Sequence, residues 1–61
     1  DRVFKNTRGT VVVDYKFGER NDRKYSRQVE KYMRLLTKMN YENVTGFIWY
    51  VMLDEIIEVS L

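Results

Sequence analysis

Asp14 and Lys16 stand two residues apart at the end of a β-branched run, TVVVDYKFG, residues 10–18. Side chains alternate between the two faces of a strand, so these two lie on one face and Tyr15 on the other. The carboxylate can help to hold a divalent cation, and the ammonium can hold an attacking water or stabilise charge that develops on a phosphate. The plainer alternative, which the tripeptide alone favours, is that the two side chains pair with each other and solvate a strand end.

A predicted hairpin brings a second carboxylate, Asp1, toward Asp14. The runs DRVFK (1–5) and TVVVDYK (10–16) are typical of strands, and NTRG between them is typical of a turn. A four-residue NTRG loop places Asp1 opposite Asp14, with Cβ atoms about 5 Å apart. A two-residue Arg8–Gly9 loop shifts the register by two and keeps Asp1 on the same face, whereas a three-residue loop with a bulge at Gly9 moves it to the other face unless a further irregularity corrects it. The sequence leaves these open. Facing carboxylates repel, and a divalent cation between them removes the repulsion.

A helix is predicted over residues 23–40, with Asn21 or Asp22 as its cap and Asn40 as a left-handed end. Apolar and aromatic side chains recur there at spacings of three and four and predict the face that packs on a sheet. They are Tyr25, Val29, Tyr32, Leu36 and Met39.

Gln28 interrupts this face. At about 100° per residue it projects within about 40° of Tyr32, so we expect its amide to point at the sheet and to need a buried partner. A structural hydrogen bond to a strand-end carbonyl explains it as well as contact with a substrate or a bound water. The Tyr32 hydroxyl needs a partner too, although core packing is the simpler explanation of a tyrosine at this spacing.

Two further strands are predicted at about residues 44–52 and 55–59, which makes one domain, 1–61, of order β-β-α-β-β. The helix should connect two parallel strands by a right-handed crossover. We therefore expect an α+β or α/β fold, a mixed sheet with one packed helix. One helix covers one face, so the other face needs a missing neighbour or a second copy of the chain. We expect a homodimer with Trp49, Phe47 or Ile48 near its interface.

Composition narrows the chemistry. The chain has no cysteine and no histidine, so a metal site would use oxygen ligands, which suit Mg²⁺, Mn²⁺ or Ca²⁺. Residues 1–38 carry all eleven basic side chains and a net charge of +6, whereas residues 39–61 carry −4. The basic part would attract a polyanion, although a solvated helix gives the same statistic. No run is long enough to span a bilayer.

Taken together, the motifs resemble the nuclease domain of RecB/AddA-type helicase-nucleases, in the PD-(D/E)XK superfamily. DR at residues 1–2 is similar to the end of the G-x-x-D-R motif, and VVDYKFG (12–18) to the D-Y-K strand. YSRQVEKYMRLL (25–36) is similar to the Q-x-x-x-Y helix motif, and VTGFIWYV (44–51) to the aromatic strand that follows. The family's upstream metal-ligating helix, its motif glycine and its frequent histidine ligand have no counterpart here.

This resemblance implies the fold of a partial restriction-endonuclease-like core and Mg²⁺- or Mn²⁺-dependent DNA cleavage. Asp1, Asp14 and the Tyr15 carbonyl would hold the metal, Lys16 would orient the attacking water, and Gln28 and Tyr32 would position DNA or support the site. Lys24, Arg27 and Lys31 would contact phosphates, although helix solvation explains each of them as well.

The resemblance also implies a cytoplasmic DNA repair or recombination exonuclease whose parent chain carries a helicase domain. We expect the sequence to be a piece of that larger protein, with doubtful activity in isolation. A Holliday-junction resolvase or a restriction-type nuclease shares the D-x-K spacing. The competing hypothesis is a non-catalytic module that binds DNA through the basic helix or serves in dimerisation, with no need for a divalent ion.

Overall fold

The computed structural model describes residues 2–61, and Asp1 lies outside the described residues. Its elements follow the predicted order β-β-α-β-β, and a short 3₁₀ turn at Val51–Leu53 precedes the last strand. The elements are β1 (Arg2–Asn6), β2 (Gly9–Lys16), α1 (Asp22–Lys38), β3 (Val44–Tyr50) and β4 (Glu55–Val59). The predicted small α+β fold is thereby confirmed.

The four strands form one mixed sheet in the order β1-β2-β3-β4. β1 pairs antiparallel with β2, β2 pairs parallel with β3, and β3 pairs antiparallel with β4. Because α1 connects the two parallel strands, its first turn lies near their carboxyl ends. Side chains at those ends are therefore brought under the start of the helix.

The hairpin adopts the register of the four-residue loop. Lys5 pairs with Thr10, and a further pair between Asn6 and Gly9 leaves a turn of only two residues. The Asn6 side chain closes that turn by accepting hydrogen bonds from the backbone N–H groups of Arg8 (2.8 Å) and Gly9 (3.1 Å). These local bonds fix how the side chains of β1 and β2 alternate. The bulged alternative is wrong, and so is the Arg8–Gly9 loop with its shifted register.

The hydrophobic core lies between α1 and one face of the sheet. From the helix, Val29, Met33 and Leu36 are buried. From the sheet, the buried apolar side chains are Val12, Ile48, Tyr50 and Val59.

The predicted buried face of the helix was partly wrong. Met33 is 3% exposed, whereas Tyr32 is 36% and Met39 56% exposed. Val29, Met33 and Leu36 lie on one side at helical spacing, and Tyr32 is rotated by about 100° from Met33. Met39 follows the last helical residue, so the helical period no longer determines the direction of its side chain.

The observed ends of α1 and β3 differ from the predicted ones. The helix begins at Asp22, capped by Asn21, whose side chain accepts a hydrogen bond from the backbone N–H of Lys24 at 3.1 Å. The helix ends at Lys38, two residues early, and Asn40 has the predicted left-handed φ of 68°. β3 ends at Tyr50 because the next three residues form the 3₁₀ turn.

The opposite face of the sheet is not covered by the helix. Alternation and register place apolar side chains from all four strands on it. They are Phe4, Val11, Val13, Tyr15, Phe47, Trp49 and Ile56. The expectation that Ile48 lies there was wrong, because Ile48 points at the helix and is 0% exposed. The homodimer across this face stays a prediction, which sedimentation at micromolar concentration tests.

At Gly46 the helix packs closely on the sheet. A Cβ there would lie 2.7 Å from Cγ1 of Val29 and would also press on the sulfur of Met33. Val29 is β-branched in a helix and has little rotamer freedom to move aside.

Gly46→Ala should therefore lower the free energy of unfolding by about 1–3 kcal/mol through overpacking. Urea denaturation measures the change. Gly18→Ala is the matched control, since no atom lies within 4 Å of the added Cβ. A substitution tolerated at Gly46 as well as at Gly18 would contradict this packing.

Candidate functional site

The candidate site lies at the carboxyl ends of the parallel strands β2 and β3, beneath the first turns of α1. Asp14 and Lys16 project from β2 toward the helix, and Lys16 is paired in register with Tyr50 of β3. Ligand sites of open sheets that contain parallel strands commonly lie at this edge.

Asp14 is a buried carboxylate, 3% exposed, and the other buried polar residue in the described part of the chain is Thr10. The Oδ2 of Asp14 lies 3.3 Å from Nζ of Lys16, whose side chain is more accessible at 26%. A buried charge is unfavourable without a partner, and the lysine supplies one. The predicted proximity of the two side chains is confirmed. Of the plainer alternative, the pairing is confirmed, whereas Asp14 is buried and does not solvate a strand end.

Gln28 contacts this pair from the helix. Its Oε1 accepts a hydrogen bond from Nζ of Lys16 at 3.4 Å. Gln28 is nevertheless exposed, so the prediction that its amide is buried was wrong. The amide reaches the site over the rim of the helix because it is rotated away from the buried arc.

Tyr25 was not recognised as a site residue from sequence. The Nζ of Lys16 lies 4.3 Å from the centroid of its ring, a cation–π contact. The periodicity had assigned Tyr25 to the core alone. Its position three residues before Gln28, which places both side chains on one helical face, is the signal that could have identified it.

Tyr32, by contrast, is not joined by a hydrogen bond to Asp14, Lys16 or Gln28 within residues 2–61. It lies one turn after Gln28 and is 36% exposed. Its predicted role on DNA stays a prediction.

A second network anchors the start of α1 to β3. The Tyr50 hydroxyl donates to Oδ1 of Asp22 at 2.6 Å and accepts from the backbone N–H of Asn21 at 3.2 Å. Burial, and then the hydrogen bond to Asp22, raises the pKa of Tyr50. Because the network fixes the first helical turn, it sets where Tyr25 and Gln28 stand over Lys16.

Arg20 extends this network to β4. Its guanidinium donates to both carboxylate oxygens of Asp22, at 3.0 and 3.1 Å, and also pairs with Glu55. Its hydrogen bonds to these carboxylates raise the pKa of Arg20, and the same guanidinium, followed by the Tyr50 hydroxyl, lowers the pKa of Asp22. Sequence reasoning gave no role to Arg20, Tyr50 or Glu55, because they converge only in the folded chain.

The oxygen donors of the described residues are of the type that a hard divalent cation binds, but they are too few to complete its coordination. Asp14 provides a carboxylate. The backbone carbonyl of Tyr15 is the other predicted donor within residues 2–61, and the Tyr15 ring packs against Trp49 on the uncovered face of the sheet, with 5.4 Å between the ring centroids. Across residues 2–61 no group of three or more histidine, cysteine, aspartate or glutamate side chains could hold a metal ion. The predicted ligand Asp1 lies outside the described residues. Magnesium would need it, or water, to complete its six oxygen ligands.

The predicted DNA-contacting residues Lys24, Arg27 and Lys31 are all exposed on α1. None of them forms an ion pair in the described part of the chain. Their cationic groups are therefore accessible to an external anion.

Comparison with models of protein families, with curated proteins and with solved structures found no match to this chain. In residues 2–61, α1 is neither long enough nor apolar enough to cross a membrane.

We expect Tyr25 to report directly on the Lys16 ammonium. Because the ammonium lies near the ring, its neighbouring ε-methylene protons should be shifted upfield by the ring current. Tyr25→Leu should remove most of that upfield shift in a proton–carbon NMR spectrum, and Tyr25→Phe should keep it. Equal spectra for the two variants would contradict the cation–π contact.

The anchor network predicts a pH dependence of stability. Since the pKa of Asp22 is lowered on folding, its contribution is present above its ordinary value of 3.8 and is lost as pH falls through the folded-state value. Between pH 7 and acidic pH, the melting temperature of Asp22→Asn should therefore fall less than that of the wild type.

Asp54→Asn is the control for this measurement, because Asp54 joins no ion pair in residues 2–61 and its left-handed φ of 52° suits asparagine. Its acid dependence should follow the wild type. Identical curves for all three proteins would show that the Asp22 network adds nothing to acid sensitivity.

Proposed function

We propose that this chain is part of a nuclease domain that hydrolyses DNA phosphodiesters with Mg²⁺ or Mn²⁺. The observation that carries the proposal is the buried Asp14 carboxylate with the Lys16 ammonium 3.3 Å away and Gln28 in contact with that ammonium. A buried carboxylate paired with a partly accessible ammonium, at the carboxyl edge of a parallel strand pair, is an arrangement that suits metal-assisted phosphoryl chemistry.

The proposed metal ligands are Asp1, Asp14 and the Tyr15 carbonyl. In support, the described part of the hairpin has the register for which the sequence predicts Asp1 opposite Asp14, with Arg2 paired to Val13 and Lys5 to Thr10. When bound, a divalent cation would polarise the phosphate and favour deprotonation of the attacking water.

Lys16 has the second role. Its ammonium can hold the attacking water by a hydrogen bond and stabilise negative charge that develops on the phosphate. Gln28 and Tyr25 restrict where that ammonium can stand, because each contacts Nζ from the helix. Tyr32, one turn beyond Gln28, is proposed to face the DNA strand.

In the proposed reaction a water oxygen forms a bond to phosphorus, and the bond from phosphorus to the leaving sugar oxygen breaks. The proton of the water passes to solvent, and the leaving oxygen takes a proton from solvent. No oxidant or further co-reactant is needed for this hydrolysis.

The resemblance to RecB/AddA-type nucleases extends the proposal to the parent protein. There the domain would be joined to a helicase domain, would act in DNA repair or recombination, and would be cytoplasmic. The restriction-endonuclease-like core is proposed on the same basis.

The second candidate is a DNA-binding module without catalysis. The observation in its favour is that the Lys16 ammonium lies 3.3 Å from the Asp14 carboxylate, so this carboxylate has a cationic partner within the chain itself. That module would bind DNA equally well with a chelator present, and Asp14 would be dispensable for it.

Metal-dependent stabilisation distinguishes the two candidates. Mg²⁺ at about a hundredfold excess over its dissociation constant should stabilise the folded chain by about 2.7 kcal/mol. Asp14→Asn should abolish the rise in melting temperature, and Lys16→Met should keep the rise and lose DNA cleavage in a chain that includes the preceding segment of the parent protein.

Glu58→Gln is the matched control, because Glu58 is an exposed carboxylate on the opposite face of the sheet. The comparison uses the change that Mg²⁺ causes in each variant, so a loss of basal stability does not obscure it. An equal metal response in Asp14→Asn and Glu58→Gln would rule out the proposed metal site.

A further inference from the structure

The outward side of α1 carries six basic side chains in one stripe. At about 100° per residue they fall within an arc of about 100°, opposite the buried Val29, Met33 and Leu36. All six are exposed. This basic stripe consists of Arg23, Lys24, Arg27, Lys31, Arg34 and Lys38.

The basic stripe is electrostatically unfavourable in the isolated chain. Within residues 2–61 none of its members forms an ion pair. Of the two acids on the helix, Asp22 is engaged by Arg20, and Glu30 lies at the edge of the stripe. Like charges three or four residues apart on a helix repel. Such neighbours are Arg23 and Arg27, Lys24 and Arg27, Arg27 and Lys31, Lys31 and Arg34, and Arg34 and Lys38.

An ordinary solvated helix alternates the sign of its charges, which lowers this repulsion. The basic stripe does not alternate, so it favours an external polyanion that would offset the repulsion. A bilayer surface is the poorer partner, because the apolar face of α1 is already buried on the sheet and cannot enter lipid.

The length of the basic stripe suits a nucleic-acid backbone. From Arg23 to Lys38 the helix rises about 22 Å at 1.5 Å per residue. One strand of B-form DNA places a phosphate about every 3.4 Å along the axis, so about six phosphates run beside six cations.

The basic stripe is also continuous with the candidate site. The Nζ of Lys24 lies 6.0 Å from the centroid of the Tyr25 ring, and the Nζ of Lys16 lies 4.3 Å from the same centroid. A strand that leaves Asp14 and Lys16 can therefore pass Tyr25 and continue onto the helix.

We propose that the basic stripe is a track for a DNA backbone, which leads from the Asp14–Lys16 site along the outer face of α1 to its carboxyl end. The direction of the track rests on the proposed function, whereas the binding of DNA to the stripe does not. Arg23, Arg34 and Lys38 become DNA-contacting residues that the motif alone does not identify.

The test measures binding of a fluorescein-labelled DNA oligonucleotide by anisotropy, with a chelator present so that metal and cleavage play no part. Arg34→Gln/Lys38→Gln removes the remote end of the track, and glutamine keeps the helix propensity. Lys5→Gln/Arg8→Gln is the control, because it removes the same charge from the hairpin near the same end of the fold. Circular dichroism confirms that each variant is folded.

The stripe variant should lower the slope of log affinity against log salt by about 1.4 for single-stranded or about 1.8 for duplex DNA, since two phosphate contacts are lost. The control should change the slope by less than half of that. Equal changes in the two variants, binding of the wild type to phosphatidylserine vesicles but not to DNA, or salt-independent DNA binding would each overturn the track.

Asp14→Asn separates this proposal from the nuclease. If it abolishes the metal response and leaves chelator-independent DNA binding intact, both proposals are supported. A wild type that binds DNA through the stripe but shows no metal response would support the track and refute the nuclease.

Discussion

The arrangement of this small fold depends on the charge of Asp14. A carboxylate that is 3% exposed is unfavourable unless a cation meets it, and Lys16, two residues along the same strand, does so at 3.3 Å. The ammonium is in turn held from the helix by the Tyr25 ring and the Gln28 amide. The position of the helix therefore affects the partner of the buried carboxylate. A shift of α1 along the sheet would remove the contacts that hold the Lys16 ammonium beside Asp14.

Two contacts prevent that shift. Gly46 lets Val29 and Met33 approach the sheet more closely than any side chain at that position would allow. At the start of the helix, Tyr50 holds Asp22 and the backbone of Asn21, while Arg20 links Asp22 to Glu55 on the last strand. One contact sets the distance from helix to sheet, and the other sets the position of the helix along the strands. Together they place two helical side chains over one lysine.

Much of the candidate site could be predicted because its parts lie close together in sequence. Asp14 and Lys16 share a face by the alternation of a single strand, and the Asn6 turn chooses the register by local hydrogen bonds. The helical face was less predictable. Periodicity could not decide between Tyr32 and Met33 as the buried residue, because the choice depends on which neighbour fits the space above Gly46. The prediction that Gln28 lies near the site is confirmed, whereas the prediction that its amide is buried was wrong.

The sequence by itself determined the order of elements, the shared face of Asp14 and Lys16 and the basic character of the helix. Each follows from side-chain period, turn chemistry or charge within a few residues. Only the tertiary structure decided that Tyr25 covers Lys16 and that Ile48 faces the helix while Trp49 faces away. It also decided which side chains form the network at the start of the helix, namely Arg20, Asp22, Tyr50 and Glu55. These contacts join residues up to thirty-five positions apart, as from Arg20 to Glu55, and depend on how the parallel strands and the helix pack. Local patterns carry no record of that packing.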